Sequence, residues 1–158
     1  MSELLEVHLV PCPYHLAQGY LADSVGARAA SGEPGVLTLT APVPGMELSK
    51  GVTVTFGSAV DPMHFDQPWR IHWKPQGGPY PEFEGELTVR ADETYETSRL
   101  ELRGSYRPPG GIIGAAFDFV AGGRIASATA QALLRRLGNE MVKRYQHDEQ
   151  AKRDSTAS

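Results

Sequence analysis

The chain has 158 residues, with 15 Lys and Arg against 19 Asp and Glu for a formal charge of −4, enough chain for one buried core and too little for two comfortable ones. The negative balance, with no basic block, argues against a general nucleic-acid or anionic-membrane binder. The single cysteine, Cys12, excludes an intramolecular disulfide and a multi-cysteine metal site.

No window approaches the ~20 consecutive apolar residues that a membrane-spanning helix needs, and the start, MSELLEVHLV, lacks a basic leader. The expectation is a soluble, cytoplasmic protein without stable membrane insertion. Residues 4–10, LLEVHLV, alternate and predict a half-buried strand with Leu5, Val7 and Leu9 inward and Glu6 and His8 outward. Pro11 and Pro13 stop it. Residues 14–23 predict a short helix weakened by Gly19, and 24–35 read as a Gly/Ala/Ser connector.

Strands follow at 36–41 and 51–60, the second placing Val52, Val54 and Phe56 opposite Thr53 and Thr55. Residues 68–74 have two contrasting faces, Trp69, Ile71 and Trp73 against Arg70, His72 and Lys74. Residues 82–90 put Phe83, Leu87 and Val89 opposite Glu82, Glu84, Glu86 and Arg90. In 98–107, Leu100, Leu102 and Tyr106 oppose Arg99, Glu101, Arg103 and Arg107. One apolar and one charged face on every strand predicts an antiparallel sheet wet on one side, with charged rows able to pair across strands.

Pro108-Pro109-Gly110-Gly111 must end the last strand, because proline cannot donate to the ladder. The longest helical pattern follows. A straight helix over 111–146 would be ~54 Å long, so a break at Gly122-Gly123 is expected, leaving helices at 112–121 and 124–146. Ala126, Ala130, Leu133, Leu137, Met141 and Tyr145 form the apolar stripe of the second, and Gly138 permits close approach of a strand or of a second subunit. From His147 to Ser158 no large apolar residue anchors the chain, and a disordered tail is expected.

The order strand, short helix, antiparallel meander and long C-terminal helix resembles the START-related, birch-pollen-allergen-like superfamily (SRPBCC), whose fold is called a helix grip. The likeness is strongest from Pro79 to Met141. There YPEFEGEL, SRLELRGSYRPPGGIIGAAFD and GGRIASATAQALLRRL look like a group of bacterial members with a strand, a G-x-Y-x-P-P-x-G corner and a helix. The resemblance implies an α+β domain over 1–146, six or seven strands wrapped around the C-terminal helix, with 147–158 as its tail. It also implies a fold whose members bind lipids, sterols, quinones, hormones or polyketides and occasionally catalyse cyclisation or hydrolysis. The almost wholly apolar inward face makes non-catalytic binding of a hydrophobic small molecule (lipid, quinone or polyketide-like) between sheet and helix the expectation. The candidate lining is Phe56, Trp69, Ile71, Trp73, Phe83, Leu102, Tyr106 and Phe117. These side chains could equally fill the space they surround.

Nothing in the sequence requires a cofactor or a metal, and no catalytic residue is assigned. Asp61-Pro62-Met63-His64-Phe65-Asp66 has the donors for a divalent ion, but Asp-Pro starts turns and three ligands within six residues crowd one metal. Gly110-Gly111-Ile112-Ile113-Gly114 lacks the G-K-[ST] ending of a phosphate loop. The alternatives are a cyclase- or hydrolase-type enzyme using Tyr106, Asp66 or His64 at the same cavity, and a filled core whose function is protein contact along the last helix. A homodimer stays open.

Overall fold

The computed structural model describes residues 2–31, 35–43, 46–57, 69–75, 82–107 and 119–156. In chain order these form β1 (Ser2–Val10), α1 (Tyr14–Ser31), β2 (Gly35–Val43), β3 (Met46–Gly57), β4 (Trp69–Pro75), β5 (Glu82–Ala91), β6 (Ser98–Arg107) and α2 (Phe119–Thr156). All strand pairs are antiparallel, in the order β1-β6-β5-β4-β3-β2. The architecture is α+β, an open antiparallel sheet with a long C-terminal helix, as the alternation predicts.

Because the first strand lies beside the last, β1 and β2 are the two edges. α2 packs against both of them as well as against β6. At ~4.8 Å per strand a flat sheet of this width would hold its edges ~24 Å apart, so the sheet bends around the helix. α1 fills the remaining side, against β3, β5 and α2.

The two-faced pattern of β4, β5 and β6 holds residue by residue. Ile71, Trp73, Phe83, Leu87, Leu100 and Leu102 are buried, whereas Arg70, Lys74, Glu84, Glu86, Arg90 and Arg103 are exposed. On the charged face Arg90 and Arg99 sit opposite each other in register, and Glu101 lies 3.1 Å from the Nε of each. That carboxylate offsets a like-charged pair that would otherwise destabilise the sheet.

β1 is reversed relative to its expected orientation. Leu4 and Val10 are the buried residues, at 8% and 0% exposure, while Leu5 and Leu9 are each 53% exposed and Val7 38%. The register decides it: Leu4, Glu6, His8 and Val10 pair with Gly104, Leu102, Leu100 and Ser98 on the inner side of β6, and a one-residue slip would flip every side chain. Glu6 is tolerated inside because α2 supplies two donors, the Ser127 hydroxyl and the Gln131 side-chain amide. His8 fits because Gly138 faces it; a methyl there would lie 3.0 Å from the ring.

The helices run longer than predicted. α1 continues through the expected connector to Ser31, where Val25 is fully buried and the Ser24 hydroxyl donates to Glu140 Oε2 at 2.6 Å. α2 passes through Gly122-Gly123 without a break. Gly123 allows close approach: a methyl on it would lie 3.0 Å from the Tyr106 hydroxyl oxygen. The expected disordered tail is helical through Thr156. Tyr20 Oη donates to Asp148 Oδ2 at 2.7 Å, and Lys152–Glu149 and Gln150–Asp154 contacts one turn apart support the rest.

Candidate functional site: the inner wall of the sheet

Strand register sorts the inward side chains into rows. One row runs Val54, Trp73, Phe83, Tyr106 across β3 to β6; the next places Ile71 beside Gly85 and Gly104 and ends at Leu4. A third runs Trp69, Leu87, Leu102, Glu6, and a fourth Val89, Leu100, His8. The wall is aromatic at the Tyr106 end and aliphatic further on, with two polar residues where it meets β1.

Trp73 and Phe83 are the centre of the aromatic end. They pair in register and their rings stack, with centroids 4.2 Å apart and planes 20° from parallel. Both are fully buried. The Phe83 ring extends over the glycine pair, so a methyl on Gly85 would sit 2.5 Å from its Cζ and one on Gly104 2.7 Å. Trp69, in contrast, is only half-buried. Tyr106 is 9% exposed and brings its hydroxyl to the start of α2 at Gly123. Phe56 lies in β3 opposite Ile71, while its side chain, together with Phe117, His64 and Asp66, lies outside the described residues.

No family model matches the sequence, and no curated protein does either. Solved structures do. A conserved protein from Geobacillus kaustophilus is 12% identical, covering 90% of this chain and 96% of that chain, with a TM-score of 0.56. The TTHA0849 protein of Thermus thermophilus is 13% identical, covering 90% of this chain and 98% of that chain, with a TM-score of 0.50. The chain shares the fold of these two structures. Also among the neighbours is the Zhui aromatase/cyclase of Streptomyces sp. R1128, 16% identical over 90% of this chain and 94% of that chain, at a TM-score of 0.48. At these identities the likeness is one of fold and assigns no residue a role.

Among the described residues the chemistry-bearing groups are few. Among the described residues no three His, Cys, Asp or Glu side chains converge as a metal site, and no helix is long and apolar enough to cross a membrane. Cys12 is buried, and burial pushes its thiol up to about 11, which suppresses the thiolate a nucleophile requires. His8 is held below the ordinary imidazole value by burial and then by the Arg135 charge, so its neutral form is favoured. On the outer face the hydrogen bond from His72 Nε2 to Glu82 Oε1, at 2.7 Å, holds the Glu82 carboxyl below its usual range.

Described residues line clefts at two places outside the Trp73–Phe83 stack. One, of about 660 Å³, lies at the start of β1 and the end of β6, lined by Glu3, Leu4, Leu5, Arg103, Gly104 and Ser105. The other, of about 300 Å³, lies by the β5–β6 turn, where Tyr14 and Tyr95 face each other with ring centroids 6.4 Å apart. Both combine exposed charged side chains with open backbone, unlike the enclosed apolar sites that hold hydrophobic ligands.

Sequence reading assembled the wall from Ile71 to Tyr106 and missed its polar end, because it turned Glu6 and His8 outward. A signal was present. Ser127 and Gln131, one helical turn apart among Ala126, Ala130, Leu133 and Leu134, interrupt an apolar face with donors that demand an inward acceptor.

Proposed function

We propose that the chain is a helix grip of six or seven strands which binds a hydrophobic small molecule, of lipid, quinone or polyketide-like character, between the sheet and α2. The binding is non-catalytic, and the protein acts in the cytoplasm as a single domain. The lining is Phe56, Trp69, Ile71, Trp73, Phe83, Leu102, Tyr106 and Phe117. The observation that carries this reading is the continuous inner row of Val54, Trp73, Phe83 and Tyr106, apolar along its length and ending in one hydroxyl. An apolar wall with a few placed polar groups is what small-molecule sites are made of. The stacked Trp73 and Phe83 form its floor, the half-buried Trp69 its accessible aromatic, and Tyr106 its hydrogen-bonding group.

The test is native mass spectrometry of the protein purified from its own host, followed by denaturing extraction. A stoichiometric apolar adduct released unchanged supports the proposal. An adduct that the pure protein converts on incubation favours the cyclase- or hydrolase-type alternative. A clean unliganded mass, together with no enhancement of anilinonaphthalene-sulfonate fluorescence, sinks the binding reading in favour of a filled core.

A further inference from the structure

β1 has β6 on one side and, among the described residues, no strand on the other. An edge strand presents unpaired N–H and C=O groups to any second strand, and proteins commonly blunt such edges with lysine, proline or short length. β1 carries no such protection: it is nine residues long, SELLEVHLV, without Lys, Arg or Pro. Its outer face is also apolar. Leu5 and Leu9 are 53% exposed and Val7 38%, whereas the β6 residues beside them are Arg103, Arg99 and Glu101.

The geometry points to a second copy of this chain as the occupant, docked β1 to β1 as an antiparallel, two-fold symmetric extension of the sheet. The strand itself selects the register. Residues turning their N–H and C=O to the open edge alternate along a strand, so an antiparallel hydrogen-bonded pair joins residues of like parity. A two-fold pair must therefore be centred on a residue. Centring on Glu6 sets carboxylate against carboxylate, and centring on His8 sets imidazole against imidazole with Glu6 opposite the partner's Val10.

Centring on Val7 resolves both faces at once. Glu6 falls opposite the partner's His8 and His8 opposite the partner's Glu6, with Leu4 opposite the partner's Val10. On the outer face Leu5 meets the partner's Leu9 and Val7 meets its own counterpart, merging two exposed apolar rows into one shared patch. Directly opposed apolar pairs favour pairing and like charges oppose it, and the Glu6 carboxylate can accept the N–H of a neutral imidazole on the partner's His8. Glu6 and His8 are both half-buried, and the Glu6 carboxylate keeps acceptor capacity beyond the bonds from Ser127 and Gln131. The contact is isologous, so it closes at two copies and does not propagate.

Light scattering on the full chain at micromolar concentration should give twice the monomer mass. Val7→Lys puts two ammonium groups together at the two-fold axis and should raise the dissociation constant roughly tenfold or more. Val7 is exposed, so circular dichroism should stay unchanged. Cα atoms ~4.5–5.5 Å apart across such a pair suit a disulfide. Val7→Cys should then link with itself under mild oxidation, while Leu5→Cys and Leu9→Cys should link when mixed and not alone. The native Cys12, fully buried, does not compete. A monomer by scattering overturns the proposal, as does a dimer that survives Val7→Lys or that links through Leu5→Cys or Leu9→Cys alone.

Discussion

Gly85 and Gly104 face each other across β5 and β6, and the ring of Phe83 lies over both. Between the Trp73–Phe83–Tyr106 row and the Trp69–Leu87–Leu102 row, the Phe83 ring occupies the space that side chains at these two positions would take. A side chain at either glycine has nowhere to go. A methyl on Gly104 would fall on the Glu84 carbonyl oxygen and within 2.5 Å of the Gly85 Cα, and these are backbone atoms that cannot rotate aside.

Gly104→Ala should therefore destabilise the fold by roughly 1–3 kcal/mol, the usual cost of overpacking. Urea denaturation measures it. Shrinking the ring should not restore the loss, since the closest clash is with the strand itself; a Phe83→Leu, Gly104→Ala double variant as stable as Phe83→Leu alone would show this account to be mistaken.

The buried end of β1 makes a second prediction. Glu6→Ala strips the half-buried Ser127 and Gln131 of their shared acceptor, and because water can partly replace it the cost should be about 1 kcal/mol, at the low end of that for an unmatched donor. Ser127→Ala with Gln131→Leu in the same chain removes the donors as well, so Glu6→Ala on that background should cost less than on the native one. Thermal unfolding of the four chains gives the coupling; strict additivity would mean that Glu6 faces water.

These residues also show how far the sequence could be read. The alternation of β4, β5 and β6 was legible because each strand offers one apolar phase: Trp69, Ile71 and Trp73 leave Arg70, His72 and Lys74 no inward alternative. LLEVHLV offers two phases, Leu5, Val7 and Leu9 or Leu4 and Val10, and local hydrophobicity favours the one the fold rejects. The choice is made by Ser127, Gln131 and Gly138, more than a hundred residues away, which provide for Glu6 and His8. The helix ends were misjudged for related reasons. Gly122-Gly123 looked like a break, but the helix runs through it and Gly123 serves the approach of Tyr106, and the stretch after His147 lacks apolar anchors yet is tied through Asp148 to Tyr20.

That tie carries a pH dependence in two directions. The hydrogen bond from Tyr20 holds the Asp148 carboxyl below its ordinary 3.8. A depressed carboxyl contributes stability above its unfolded value and loses it as pH falls through the folded one, so the end of α2 should loosen in acid below that pH. Burial, followed by the bond to Asp148, pushes the Tyr20 phenol up to about 12 from 10.0. A raised phenol keeps its contribution below the unfolded value and loses it as pH climbs through the folded one, placing the alkaline loss between 10.0 and about 12. Ultraviolet titration should show a late-titrating component that Tyr20→Phe removes, and hydrogen exchange of 147–156 should quicken in that variant at neutral pH. Unaltered exchange would mean that the helix end holds without the bond.

The two tryptophans separate stability from ligand contact. Trp73 is fully buried and stacked on Phe83, so Trp73→Ala should cost about 3–5 kcal/mol whatever the cavity holds. Trp69 is half-buried in the row of Leu87 and Leu102; Trp69→Ala should cost less in stability than Trp73→Ala, yet weaken anilinonaphthalene-sulfonate binding roughly tenfold, the loss of one aromatic contact surface. Fluorescence titration beside urea denaturation gives both numbers for each variant. Equal affinity in native and Trp69→Ala protein would make Trp69 a bystander, and would move the binding surface away from the β4 end of the wall.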